Sequence, residues 1–286
     1  MENTENIPEQ PASSESAAHT SGGHENVAEN IHSTENTENM EVHHHPDLHH
    51  KRKRFKEYFL EFLMIFLAVT LGFFAESLRE NISDGNKEHE YMQSLLNDMR
   101  TDSLKMEYTI RDNQRKSAGL DSLMMLSLKD WSNQANRALL YQYKRYTGFY
   151  SIFKSNDATM LQLKNSGGLR VIKKDHAADS IARYDYEVKI IYAAESLYIT
   201  ATAAAVTSTH EIFDYSIYHD TSYYKNDAFT GKLIPLLTKD PSKQKLFFNE
   251  VDYEKGATDN YIRNMQSRLP FLKSLIQFLK KEYNLI

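Results

Sequence analysis

The stretch KRKRFKEYFLEFLMIFLAVTLGFFAESLRE, residues 51–80, sets a block of cations against an apolar run that holds one acid near each end. The fourteen uncharged residues from Phe62 to Ala75 reach only about 21 Å as a helix, short of the roughly 30 Å hydrocarbon core of a bilayer. Taken from Tyr58 to Leu78, the run has 21 residues and reaches about 31 Å, with Glu61 and Glu76 each within a turn of an interface. Apolar residues surround this helix on every side, whereas a helix lying on a membrane surface keeps one polar face. The pattern predicts a single transmembrane helix over residues 58–78.

A cleaved signal peptide would open the chain with its charged region, yet fifty residues precede this one. A cut after Ala75 would also place bulky Phe73 where a small residue is required. The segment therefore reads as an uncleaved anchor. Its flank at 51–57 carries Lys51, Arg52, Lys53, Arg54 and Lys56, against Arg79 and Lys87 on the other side. That bias predicts a cytoplasmic N-terminus and a body, residues 79–286, outside the cytoplasm.

Composition changes at the same place. Residues 1–50 hold ten acids, no Lys or Arg, eight of the twelve histidines and three TEN words, with almost nothing able to form a core, so a disordered tail is expected. Within it, His43, His44, His45, His49 and His50 form a loose chelating cluster without cysteine or fixed spacing; they read as a polar tail meeting the anionic membrane surface, with no metal site assigned. From Glu57 onward there are 29 basic and 29 acidic residues, which gives no basic excess of the kind that binds nucleic acid. The lack of Cys suits an oxidising compartment handled without disulfides.

Proline is absent from Asp47 to Ile234 and glycine is sparse, which permits long helices; an all-α bundle is expected. Met92, Leu95, Leu96, Met99, Met106 and Ile110 fall on one helical stripe, in a helix expected to leave the membrane after a short break at Ser83 to Gly85. A second helix is expected around WSNQANRALLYQYKRY from Trp131. A third is expected from a cap at Asp175 through Ile181, Tyr184, Val188, Ile191, Ile199 and Val206 toward Tyr218, with an Ala/Thr-rich middle suited to close packing. Last, Tyr261, Met265, Leu269, Leu272, Ile276, Leu279 and Tyr283 form a near-heptad seam, expected to pack within its own bundle. Pro270 is expected to kink this helix or mark its start.

Between the second and third helices lies FKSNDATMLQLKNSGGLRVIKKDHAADSIARY, residues 153–184. Asn156 or Asp157 can cap a short helix carrying Met160, Leu161 and Leu163; Gly167 and Gly168 end it, and Leu169, Val171 and Ile172 offer an apolar plug. Together with the basic patch, the acid opening the span and the segment HEYMQSLLNDM, the corner NDATMLQLKNSGGLRVI resembles a domain-of-unknown-function family of single-pass membrane proteins in Gram-negative bacteria. The resemblance covers most of residues 51–286 and leaves the tail outside. It implies an inner-membrane anchor with a periplasmic helical domain, and maps only Glu61 and the corner from Asn156 to Gly168 as family features. It carries over no catalytic residue.

Other chemistry-bearing patterns are sparse. HEIFD would put His210 and Asp214 on one helical face with Glu211 beside them, a relative of the zinc-protease helix lacking its second histidine, with only His219 or Asp220 near for a third ligand. There is no phosphate loop, nucleophile elbow or dinucleotide fingerprint, so no cofactor or catalytic constellation is assigned. The tyrosine clusters YDYEVKIIY and FDYSIYHDTSYYKND could stack on a sugar or peptide, but at helical spacing they read as core-edge groups with wet hydroxyls. Glu61 lies one turn beyond Glu57 and Lys53. It either marks the headgroup level or makes an intramembrane contact to a second copy or another membrane protein. The function expected is an interaction or scaffold module with the bilayer and a membrane or periplasmic protein, or a second copy, as partners. A ligand-binding sensor and a metallohydrolase are the alternatives.

Overall fold

The computed structural model describes residues 54–174 and 176–286. The tail 1–50 with its histidines, the cations Lys51, Arg52 and Lys53, and the expected cap Asp175 lie outside them. The chain divides between Phe59 and Leu60 into two units, and of the first only residues 54–59 are described, as the start of a helix.

That helix, α1, runs 70 residues from Phe55 to Met124 without interruption. The expected break at Ser83 to Gly85 does not form. A lone glycine inside a helix costs about 1 kcal/mol relative to alanine, less than breaking and renucleating a helix would. Asp84 and Lys87 lie 3.8 Å apart across the site, and no other group crowds Gly85. A 3-10 turn over Met125–Leu128 ends α1, and Asn133 then caps α2 (Gln134–Tyr143) by accepting from the Ala135 N–H at 2.8 Å. Trp131 precedes this helix, buried in a turn. A single turn, α3 (Arg145–Gly148), and an extended stretch lead to α4 (Ala158–Asn165).

Helix α5 spans Ala177–Ile212 and α6 spans Pro241–Glu282. Between them, the strands β1 (Tyr224–Lys225) and β2 (Ala228–Phe229) form a hairpin across Asn226 and Asp227, both with positive φ, as a two-residue primed turn requires. α5 stops at Ile212 instead of continuing toward Tyr218, because Phe213 turns extended and Asp214 accepts from the Ser216 N–H to start a new 3-10 turn. α6 does not start at Pro270 but continues through it, and begins with Pro241 behind the Asp240 cap. The carbonyl of Gln266 that Pro270 leaves without a donor lies on the exposed face, where water can satisfy it.

The three long helices pack along heptad seams. On α5, Ala177, Ile181, Tyr184, Val188, Ile191, Glu195, Tyr198, Thr202, Ala205, Thr209 and Ile212 recur at alternating spacings of four and three, and all are buried. α1 and α5 run parallel and α6 antiparallel to both: Asp102 meets Tyr184 and Lys116 meets Thr202, whereas Tyr261 meets Glu195 and Arg268 meets Glu187. α5 and α6 pack backbone close to backbone, and the small residues Ala194, Ala201 and Ala205 of α5 and Ala257 of α6 are buried. Two apolar clusters result: one holds Met92 to Ile110 of α1 with the far end of α6, and the other gathers Leu120, Leu123 and Trp131 with Ile212, Phe213 and Phe247.

Candidate functional site

Among the described residues two helices are long and apolar enough to cross a membrane, the N-terminal part of α1 and α5. None of the apolar window of α1 is buried, and Phe62, Met64, Ile65, Leu71 and Phe73 all point outward. α5 instead lays its seam into the core. Glu61 is exposed on the second turn of α1.

The corner is held by α1. Its helix α4 starts after Asp157, as expected, but the Asp157 side chain caps nothing. Asp98 reaches across from α1 instead and accepts from the Thr159 N–H at 3.3 Å and from Asn156 Nδ2 at 3.0 Å. One turn on, the buried Asp102 carboxylate accepts from the Asn156 N–H and the Tyr184 hydroxyl, each at 2.7 Å, and from the Ser155 hydroxyl. Gly167 ends α4 with φ 67, the left-handed conformation that a C-terminal glycine supplies. A Cβ on Gly168 would sit 3.0 Å from Leu163 Cδ2 and Ser166 Oγ, so a side chain there would require those two groups to give way by a few tenths of an ångström. Met160, Leu163 and Ile172 are buried, while Leu161 is 46% exposed. Asn156, Asp157, Gly167 and Gly168 thus shape one joint, pinned to α1 by two aspartates that local capping rules do not reveal.

Halfway up the bundle, between the two apolar clusters, a polar layer crosses all three long helices. Lys116 of α1 and Glu254 of α6 are both fully buried, with Nζ 2.7 Å from Oε1. Lys116 also donates to Thr202 Oγ1 at 2.9 Å, and its ammonium lies 4.5 Å from the centroid of Tyr198. Tyr198 donates to Asn113 Oδ1 at 2.7 Å and stacks on Tyr261, whose hydroxyl donates to Glu195 at 2.9 Å. Glu195 pairs in turn with Lys154 at 2.8 Å. The ion pair is close but poorly oriented, because neither Glu254 oxygen accepts a well-aligned hydrogen bond. Burial pushes the Glu254 carboxyl up to about 7, opposed by Lys116, and pushes Lys116 below the usual lysine range. The layer was legible as polar residues in the seam: Met99, Asp102, Met106, Thr109, Asn113, Lys116 and Leu120 keep the three–four spacing, as do Val251, Glu254, Thr258 and Tyr261.

The HEIFD residues part company. The shared face does not form, because the helix ends between His210 and Asp214. His210 is exposed against Tyr215, Glu211 pairs with Lys243 at 3.2 Å, and Asp214 caps Ser216. Among the described residues no three His, Asp or Glu side chains converge as a metal site would need. The tyrosine hydroxyls expected to be wet are partly bonded inside: Tyr184 donates to Asp102, and Tyr192 accepts from the Ser155 N–H at 3.0 Å. Next to this region Lys144 is buried with its ammonium 3.5 Å from the Tyr215 centroid and within 6 Å of Phe213 and Tyr218. Burial pushes it down to about 8, while the ring faces favour the cation and act against that shift.

Two concavities open in the half of the bundle that contains the second apolar cluster. One, of about 980 Å³, has Trp131 and Phe248 at its base and Lys129, Lys239 and Lys245 on its rim. The other, of about 700 Å³, lies over Gly119 of α1. No family model, curated protein or solved structure matches this chain.

Proposed function

We propose that this chain is a membrane-anchored interaction module: α1 crosses the inner membrane over residues 58–78, the tail stays in the cytoplasm, and the helical body presents binding surfaces in the periplasm. The observation that carries this reading is the continuity of α1, whose wholly exposed apolar stretch runs without a break into the stripe from Met92 to Leu123 that the body buries. An apolar band of that size exposed to water is unstable unless lipid or protein covers it. The cation bias sets the orientation, and the resemblance to the single-pass family agrees with it. The metallohydrolase alternative loses its ligand set, since His210, Glu211 and Asp214 are engaged separately.

A reporter active only outside the cytoplasm should work when fused after Ile286 and fail when fused before Lys51. Mild-detergent pull-down after cross-linking should then recover a membrane or periplasmic protein, or a second copy. A cytoplasmic C-terminus would overturn the reading. If Glu61 contributes an intramembrane contact, Glu61→Leu weakens cross-linking between spans without affecting insertion. A second reading, a sensor that passes movement through the span, is favoured by the same unbroken helix, because α1 links the membrane directly to the buried Lys116 layer.

A further inference from the structure

We infer that the groove over Gly119 binds a small amphiphilic anion, a planar apolar body carrying a carboxylate. The floor of the groove is the Tyr146 ring, seated where α1 carries no side chain. A Cβ on Gly119 would lie 2.3 Å from Tyr146 Cγ, so only glycine lets the Tyr146 ring lie flat on the α1 backbone. Tyr143 stacks beside Tyr146 with centroids 6.4 Å apart and planes at 25°, and Phe149, 43% exposed, extends the apolar wall. The volume, about 700 Å³, lies within the roughly 300–1,000 Å³ that holds small ligands.

The charge of the ligand follows from the rim. Arg115 and Arg145 line the groove, and no acid does. Arg115 makes one 3.3 Å contact to Asp112 and keeps most of its donors free, its side chain being 70% exposed. Arg145 has no carboxylate within ion-pair distance among the described residues, and its guanidinium sits 5.3 Å from the Tyr146 centroid. Guanidinium forks above aromatic rings suit a carboxylate attached to a flat ring, which stacks while its oxygens take paired N–H donors. A lipid headgroup is the wrong source. Gly119 lies 41 residues beyond Leu78, about 60 Å along α1 at 1.5 Å per residue.

The test uses the full chain in nanodiscs, titrated calorimetrically with 2-naphthoate and with the neutral isostere 2-naphthalenemethanol, subtracting the heats of empty nanodiscs. One naphthoate should bind per chain and the alcohol at least tenfold more weakly. Arg145→Gln should weaken naphthoate at least tenfold, and Phe149→Ser should weaken both compounds. Because Arg115, Arg145 and Phe149 are exposed, melting should not change. Heats equal to those of empty nanodiscs, equal binding of acid and alcohol, or undiminished naphthoate binding in the Arg115→Gln/Arg145→Gln double variant would each overturn the inference. A short peptide ending in a free Trp carboxylate that binds more than tenfold tighter than naphthoate would replace it with a protein terminus. None of these outcomes depends on which side of the membrane the body occupies.

Discussion

The N-terminal part of α1 and the whole of α5 are both long and apolar enough to cross a membrane, and the structure treats them oppositely. The α1 stretch is apolar all round and buries nothing. In α5 a three–four seam alternates with Ser, Thr, Lys and Glu, and the seam is the centre of the bundle. Length and an apolar composition therefore do not by themselves separate an exposed apolar helix from a core helix, but the period of the pattern does.

The sharpest way to break this comparison is to put one acid in each helix. Ile181→Asp would bury an unpaired carboxylate in the α5 seam and should cost several kcal/mol, read as a large loss of melting temperature. Leu71→Asp, at a position 64% exposed, should leave melting of the body unchanged and reduce membrane insertion instead. Equal melting losses would show that the α1 stretch packs against protein.

Next in size is the buried pair. Lys116→Met alone strands Glu254 and should destabilise the fold by about 3–5 kcal/mol, whereas Lys116→Met with Glu254→Leu should recover most or all of that loss in denaturant unfolding. A double variant as weak as the single one would mean that the layer is held by Tyr198, Thr202 and Asn113 rather than by the ion pair.

The same pair sets a pH dependence with a definite sign. The folded Glu254 carboxyl titrates near 7 and an unburied one near 4.5, so between those values the folded chain binds more protons than the unfolded chain. Its contribution to stability therefore falls as pH rises from 4.5 through 7 and stays low above. Lys116, depressed below 10.5, adds a gain in stability as pH climbs toward that value. Urea unfolding at pH 5 and pH 7.5 should show a smaller fall in Glu254→Gln than in the wild type. An identical fall would place the titrating group elsewhere.

Two glycines of α1 give the smallest and most contrasting effects. Gly119→Ala drives a methyl into the Tyr146 ring and should destabilise by about 1–3 kcal/mol, as overpacking does. Gly85→Ala meets nothing and should stabilise by roughly 0.5–1 kcal/mol if the helix is continuous there. A loss at Gly85 would restore the break that the sequence predicted.

Much of this molecule was legible in its residues. The missing prolines set long helices, the stripe from Met92 to Ile110 and the seam from Tyr261 to Tyr283 are buried with only Leu269 left partly exposed, and the corner at Gly167 turns as its glycines require. These features depend on local sterics and on a hydrophobic period, both written into neighbouring positions. Tertiary structure decided the rest. Asp98 rather than Asp157 caps α4 because the partner lies some sixty residues away in sequence, and Lys116 is tolerated in the core only because Glu254 and Thr202 arrive beside it from two other helices. Electrostatic and packing partners of that kind are set by which helices meet, and no local window of the sequence contains both sides of the contact.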